Sequence, residues 1–482
     1  MGSPGEGSTA KLAEFMAATR YEDLPPAVIA DTKRIIADTL ACAIAGSSFD
    51  AGKIVVGAAK ALGSAPSEST IVSTNTKVSA AAGAFANSYL ANLLDADETF
   101  FNSTHHACCT IFPALAVCES RESSGRDLIT AVATAYDIGA RVGLSLPIAR
   151  VNEKGDVERF RSAGLGWATF AAAAAAGKAL RLEREQFAHA FGIAGWVAPI
   201  SSHPKWDQSH TSHMMKNSPH GFMGLHGVIA ARMAQSGFTA DTTIFEGEVG
   251  YWKLAGSPEC RWDVLVGELG KKWWISEASI KPYASNRLTH HAIDVFRRIL
   301  REQNLQADEI ERVHIKTFSR VASPFLSRPA APETAIAAQF NLPFALAACA
   351  FGFDLTPQWQ RSEVLTDTRL RAFTRKIEVE TDAGVQKLMA EDLRQIMRYP
   401  RIPTEVTVMA RGMSYSGRTE YAWGDPWSEQ TRMTNTQLKQ KFLAFTDEIL
   451  KPENSDAALE ALFNLEHIQN VAAELMPLVS SS

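Results

Sequence analysis

No two of the six cysteines stand in CxxC spacing, and their positions, Cys42, Cys108, Cys109, Cys118, Cys260 and Cys349, follow no regular interval. Spread over 482 residues, they read as reduced, buried thiols of a cytoplasmic protein, which excludes a disulfide framework. Charge of one sign is also lacking, since 48 Lys plus Arg face 53 Asp plus Glu and leave a formal net charge of -5. With no basic field to hold a polyanion, no nucleic-acid partner is expected. Long hydrophobic runs are absent too. The longest, Ala168 to Ala176, is mostly alanine and far short of the ~20 residues needed to span a bilayer. It reads as a helix packed closely through small side chains, and no membrane partner is expected. The opening MGSPGEGST has neither the basic nor the apolar region of a secretory signal and reads as a leader outside the folded body.

What is present is an ordinary globular mixture, 46% hydrophobic and 21% charged, over a length that suits two large domains. From Ala10 to about Gly270 the periodicity is helical. Ile29, Thr32, Ile35, Ile36, Leu40 and Ile44 recur at three- and four-residue spacing over Val28–Ala45, and Gly46-Ser47-Ser48 reads as the stop of that helix. Comparable stretches run over Lys77–Leu94, Ala114–Ser120, Gly125–Leu144, Trp167–Leu180 and Gly227–Gln235. After Lys281 the period changes. Arg312–Phe318, Lys376–Thr381 and Glu405–Ala410 alternate like half-buried strands, Arg411–Gly417 carries turn residues, and Arg418–Trp423 is placed as a hairpin partner. Helical patterns at Thr289–Glu302, Pro332–Phe351 and Thr366–Arg375 lie between them, and helical periodicity returns from Asn435 onward. The expected fold is therefore mainly α: a large all-helical domain over 10–275, completed by C-terminal helices at 430–482, and a smaller α+β domain over 276–429.

Three segments concentrate the residues that carry chemistry. Leu94-Asp-Ala-Asp-Glu-Thr-Phe-Phe-Asn-Ser-Thr-His-His gathers three carboxylates, two threonines and two histidines after a helix, a set able to supply a base, its orienting carboxylate and a hydroxyl. An acidic helix-to-loop junction has the same composition. The second segment holds His203, His210, His213, His220 and His226 around Lys216. Only His210 and His213 have close helical spacing, no glutamate accompanies them as in HExxH, and nearby lysines repel a cation, so zinc is not expected. Lys216, with the flexible Gly221-Phe-Met-Gly-Leu-His-Gly backbone after it, reads as an anion-binding element. The third segment, Ile280-Lys-Pro-Tyr-Ala-Ser-Asn-Arg-Leu-Thr-His-His, puts Lys281 and Arg287 at the domain junction, where a Lys and an Arg suit a small carboxylate; a solvated basic loop is the alternative.

In this order, the acidic-Thr-His block, the lysine before a glycine segment and the KPY-THxAID segment resemble the MmgE/PrpD family, which includes 2-methylcitrate dehydratase and cis-aconitate decarboxylase. The resemblance extends from the Leu24-Pro-Pro helix, with its Asp38-Thr-Leu-Ala-Cys, to the helix beginning near Asn435. It implies a homodimer and a metal-free, cofactor-free site between the domains. Residue by residue it assigns Asp95, Thr99 and His105 to the acidic-Thr-His block, Lys216 to the lysine before the His-Gly segment and Lys281 to the KPY lysine. Two departures stand out. Where the family often carries a histidine, the chain reads Arg161-Ser-Ala-Gly-Leu-Gly-Trp, and Phe318–Ala322 lacks the tyrosine that decarboxylase members use.

The expected activity is a cytoplasmic lyase, a dehydratase or decarboxylase without cofactor, acting on a small di- or tricarboxylate. His105 is the expected acid/base, Asp95 its orienter and Thr99 a hydrogen-bonding partner. Lys216, Lys281, Arg287 and His220 are expected to bind substrate carboxylates. An epimerase or isomerase on the same scaffold, and a non-catalytic helical binding protein, are the alternatives.

Overall fold

A computed structural model describes residues 4–63, 65–102, 104–151, 157–160, 162, 164–200, 205–206, 213–216 and 219–480. The chain is mostly helical, with its one extended sheet in the C-terminal region. The helices that position the site are α1 (Pro26–Ser47), α2 (Ala80–Asn92), α3 (Ala107–Ser120), α4 (Gly125–Ser145), α5 (Ala168–Leu180), α6 (His220–Gln235), α7 (His290–Gln303) and α8 (Asn435–Thr446). The alanine-rich α5 is the centre of the helical part, packed against α3, α4 and α6. Its alanines from 171 to 176 are all buried. Small side chains let these axes approach closely, as the composition predicts.

Glycines on the neighbouring helices complete that packing. A methyl group on Gly227 of α6 would lie 2.3 Å from the Cβ of Ala172 and 2.5 Å from its backbone carbon. On Gly221 and Gly224 it would meet Tyr89 at 2.0 Å and Ser88 at 2.8 Å, both on α2. The GxxGxxG segment is thus a stripe of helix contacts and not a flexible anion-binding backbone; the three- and six-residue spacing that suggested a loop is one face of α6. Gly227→Ala should lower stability by about 1–3 kcal/mol through overpacking, read as a fall in denaturation midpoint with an unchanged slope.

Helix α1 ends within Gly46-Ser47-Ser48 as expected, running through Ser47 with Ser48 as its cap, and Gly46 itself sits where a side chain would strike the Leu90 carbonyl at 2.2 Å. Two further expectations are corrected. The opening segment is packed from Pro4, because the Glu246 carboxylate accepts the backbone N–H groups of Gly7 and Thr9 at 3.0 Å each and so caps the first helix, Ser8–Ala18. Residues 77–78 are extended and pair with 69–70, so α2 begins only after its Ser79 cap.

The C-terminal region contains a four-stranded sheet of β1 (Ile310–Thr317), β2 (Ile377–Thr381), β3 (Thr404–Ala410) and β4 (Met413–Thr419), in the order β4-β3-β1-β2. Only the β1–β2 pair is parallel. The hairpin turn is shorter than expected. Arg411 and Gly412 both have positive φ, 55° and 69°, which is what a two-residue type I′ turn requires, so the partner strand starts at Met413 and not at Arg418. Helix α7 packs on β3 and β4. The expected helix over Pro332–Phe351 is two, Ala335–Gln339 and Leu342–Ala350, capped by Thr334 and Asn341. Helix Ala383–Ile396, announced only by its Asp382 cap, was not expected. Among the described residues no single helix is long and apolar enough to cross a membrane.

Candidate active site

Residues 93–98 leave the C-terminus of α2 as a loop in which Asp95 has a φ of 54°. That left-handed turn lets successive carboxylates point in different directions. A two-stranded ribbon then pairs Thr99 with Ser279 and Phe100 with Ala278, which carries Lys281 to the same place. His105 stands just before α3. Lys216 arrives on a short segment ahead of α6. The structure therefore brings together four of the residues singled out in sequence, and all four are buried.

Asp95 is the hub. Its Oδ1 lies 2.9 Å from Lys281 Nζ, 3.1 Å from Lys216 Nζ and 3.5 Å from His105 Nε2. Burial opposes its ionisation, but Lys216, Lys281 and His105 outweigh that and hold its carboxyl well below the usual carboxylate range. Lys281 also donates to the backbone carbonyls of Asp95 and Ser285, so its three N–H groups have three acceptors. Lys216 donates to the Asn92 carbonyl at 2.8 Å and to Asp95. Among the described residues, its third N–H has no acceptor. The two lysines expected to act alike are thus differently employed.

His105 Nδ1 is 2.7 Å from the Glu98 carbonyl, which can only accept, so Nδ1 carries a proton. Burial, then Lys281, hold its pKa well below the ordinary value, with Asp95 pulling the other way. The result is a neutral imidazole whose basic nitrogen faces an ionised carboxylate. His106 does something else. It is wholly buried, 4.0 Å from the Tyr136 ring and 5.3 Å from Trp167.

Two acids beside Asp95 were read in sequence only as members of a carboxylate run. Asp97 accepts from Asn92 Nδ2 at 3.0 Å, and burial pushes its pKa up to about 6 against the pull of Lys281 and Lys216. Glu98 accepts the backbone N–H groups of His106 and Ala107 at 3.0 Å each and the Tyr136 hydroxyl at 3.3 Å. Burial, then Asp97, raise its pKa to about 8. Between pH 6.5 and 8 the native state therefore binds a proton at Glu98 that the unfolded chain, with an ordinary carboxyl, has lost, so stability should fall as pH rises through that window. His105, neutral when buried, adds an opposite slope to both proteins, so Glu98 is read from the difference: from pH 6.5 to 8 the melting temperature of the natural protein should fall relative to that of Glu98→Gln.

Thr99 Oγ1 is buried without a hydrogen-bond partner among the described residues. His220 begins α6, buried, close enough to His105 to disfavour its protonation. Arg287 is a correction. It is 1% exposed, and its guanidinium donates to Asp425 at 2.5 Å, to Asn102 at 3.3 Å and to the Trp423 carbonyl at 2.9 Å, so it is a buried structural tie and not a substrate clamp. The histidine cluster disperses: His203 and His210 lie outside the described residues, His213 is exposed and His220 is buried. The grouping with metal-site dimensions is instead Asp95, Asp97 and His105, whose ligand atoms lie within 4.8 Å of one another. Two ammonium groups already neutralise Asp95 and would repel a cation there.

An inter-domain cavity of about 500 Å³ is lined by sequence neighbours of these residues and by none of Asp95, His105, Lys216 and Lys281 themselves. Leu93 and Leu94, the residues before Asp95, line it with His213 and Met214, shortly before Lys216, and with Gln339 and Gln360 from the C-terminal region. Models of the MmgE/PrpD N-terminal and C-terminal domains match residues 10–261 and 283–466. The chain belongs to the MmgE/PrpD family. Within it, a cis-aconitate decarboxylase-like protein of Aspergillus oryzae is 23% identical over 70% of this chain and 72% of its own. A cis-aconitate decarboxylase of Aspergillus terreus is 23% identical over 71% of each chain, and another from that species 24% identical over 61% of this chain and 60% of its own. The MmgE/PrpD acidic-Thr-His block and both lysines converge here, whereas residues 161 and 163, in the segment that departs from the family, lie outside the described residues. Tyr399 packs its ring 5.6 Å from Phe318, so a phenol from a distant part of the sequence reaches the strand end where the family tyrosine is missing.

Proposed function

We propose that this MmgE/PrpD protein is a cofactor-free lyase, of dehydratase or decarboxylase type, acting on a small di- or tricarboxylate by proton transfer at a carbon next to a carboxylate. The observation that carries the reading is the arrangement of His105, with Nδ1 on the Glu98 carbonyl and Nε2 3.5 Å from an Asp95 carboxyl that the Lys216 and Lys281 ammonium groups flank. A proton on such a carbon is hard to remove because the electrons it leaves must spread onto a carboxylate that is already negative. Lys216, with its remaining N–H, supplies the compensating charge, and Nε2 takes the proton. The imidazolium so formed is stabilised by Asp95 and by the Glu98 carbonyl on Nδ1. Run in reverse, the same pair protonates a carbanion or enolate left by departing carbon dioxide. The names of the Aspergillus relatives support the decarboxylase branch and make cis-aconitate the first compound to try.

An epimerase uses the same residues and only returns the proton to the other face. The test is a panel of di- and tricarboxylates, cis-aconitate and 2-methylcitrate included, incubated with the protein in deuterium oxide. Alkene or carbon dioxide formation supports the lyase. Deuterium exchange without net reaction moves the reading to an epimerase, and silence over the panel to a binding protein. Turnover should survive exhaustive chelation; loss restored by zinc would make Asp95, Asp97 and His105 metal ligands. A homodimer and cytoplasmic residence belong to the same reading. Trp196, Ile200 and Val249, each 80–84% exposed, are apolar surface that a second copy would cover, which light scattering tests.

A further inference from the structure

Three chain segments deliver the charged members of the cluster, and all three are tied to one corner of the C-terminal region. The corner is Gln339–Phe340, where the two short helices Ala335–Gln339 and Leu342–Ala350 meet. Gln339 Nε2 donates to the Leu93 carbonyl at 3.0 Å and to Gln360 Oε1 at 2.8 Å. Gln360 Nε2 in turn donates to the carbonyls of Leu94 at 3.0 Å and Ala284 at 2.7 Å. Because three of these acceptors are backbone carbonyls, both carboxamides have only one possible orientation. The Asn286 N–H donates to the Gln339 carbonyl at 2.8 Å, beside Ser285, whose own carbonyl accepts from Lys281. Phe340 supplies the third tie. Its ring centroid lies 4.9 Å from that of Trp206, whose indole N–H donates to the Met215 carbonyl at 3.1 Å, one residue before Lys216.

Resting on the reading of Asp95, His105, Lys216 and Lys281 as the reacting cluster, we propose that Gln339, Gln360 and Phe340 are its positioning residues. They hold in mutual register the backbones that carry Asp95, Lys216 and Lys281. None of the three touches a charged member of the cluster in the contacts described, so their effect runs through main-chain carbonyls. A buried carboxamide pair suits that role, since it fixes directions without adding a charge that would perturb Asp95. Gln339 and Gln360 are 1% and 2% exposed, and both border the inter-domain cavity, so a molecule bound there contacts the positioning corner.

The test uses the full chain with Gln339→Met and Gln360→Met, singly and together, since methionine keeps the length and removes the donors. Two readouts are taken. The first is kcat and KM for carbon dioxide or alkene formation from cis-aconitate, with solvent deuterium followed into the product. The second, independent of turnover, is the titration of His105 followed by NMR with ¹³C-labelled histidine and assigned through His105→Gln. The double variant should lose at least about tenfold in kcat with KM within about threefold, the rate scale of a misplaced reacting group. Its His105 midpoint should move up towards the ordinary value as Lys281 and the surrounding burial relax. Folded variants with unchanged kcat and unchanged His105 titration would overturn the proposal and leave the corner an ordinary domain contact. If the double variant does not fold, Trp206→Phe decides, because it keeps the ring packing and removes only the N–H to Met215; an unaltered kcat there overturns the proposal, and a severalfold loss at constant melting temperature supports it. If the natural protein does not turn over cis-aconitate at all, the lyase reading fails on that substrate, while the His105 titration still decides the positioning role.

Discussion

His105→Gln is expected to cost about 10²–10⁴-fold in solvent deuterium incorporation, the range that a positioned acid/base supplies. Its melting temperature should barely move. The glutamine amide can still donate to the Glu98 carbonyl, as the Nδ1–H does now, but it has no basic nitrogen to place where Nε2 faces Asp95. The neighbouring substitution should behave in the opposite way. His106 is packed between Tyr136 and Trp167 with no exposed surface, so His106→Gln should lower stability and leave the folded fraction close to normal turnover. Two adjacent histidines thus separate into a chemical and a structural role. Exchange by proton NMR and thermal unfolding of both variants check this; equal losses of turnover at equal stability would contradict it.

The second large effect separates the lysines. Lys216→Met should reduce turnover by about 10²–10³-fold, as removal of one donor from a developing anion typically does, and, because Lys216 also pairs with buried Asp95 and the Asn92 carbonyl, cost about 1–3 kcal/mol of folding free energy. Lys281→Met should also abolish turnover, but it strips the buried Asp95 carboxylate and two carbonyls of their donor, so it is expected to cost about 3–5 kcal/mol of folding free energy as well. Denaturant titration beside the exchange assay distinguishes the two. Sequence alone treated them as a matched pair of clamps; among the described residues Lys281 has an acceptor for each of its three N–H groups and Lys216 has one N–H to spare, and the proposed division of roles rests on that difference.

How much of this was legible follows from which interactions are local. Helix periodicity and strand alternation are properties of neighbouring residues, so the helical half and strands β1 to β3 were readable. β4 was not, because Met413-Ser-Tyr-Ser-Gly-Arg-Thr looks like a turn until its pairing with β3 is known. The GxxGxxG stripe was misread for the same reason: what Gly227 approaches is Ala172, on another helix. At the site, the ionisable side chains stood out by type. Gln339, Gln360 and Asn92 did not, since a neutral amide carries no signal until the carbonyl it faces is known. Arg287 stood out and was misassigned because its partner, Asp425, lies 138 residues along the chain.

The C-terminal helix α8 lies against α1, and Lys441 on it pairs with buried Asp38 and donates to the Ala96 carbonyl at 2.8 Å, between the two aspartates of the site. Asp38 and Lys441 are 403 residues apart. At a translation rate of about 5–20 residues per second, roughly 20 to 80 s separate their emergence from the ribosome. Throughout that interval the nascent helical bundle contains an aspartate that belongs in its interior and lacks the lysine it pairs with there, and the Asp95–Asp97 loop lacks one of its backbone ties. The bundle can condense early around α5, but its last cationic strut is made last. A chain interrupted before residue 441 would therefore carry nearly every residue of the site and still leave that loop without its support, which makes such intermediates natural clients of chaperones during synthesis.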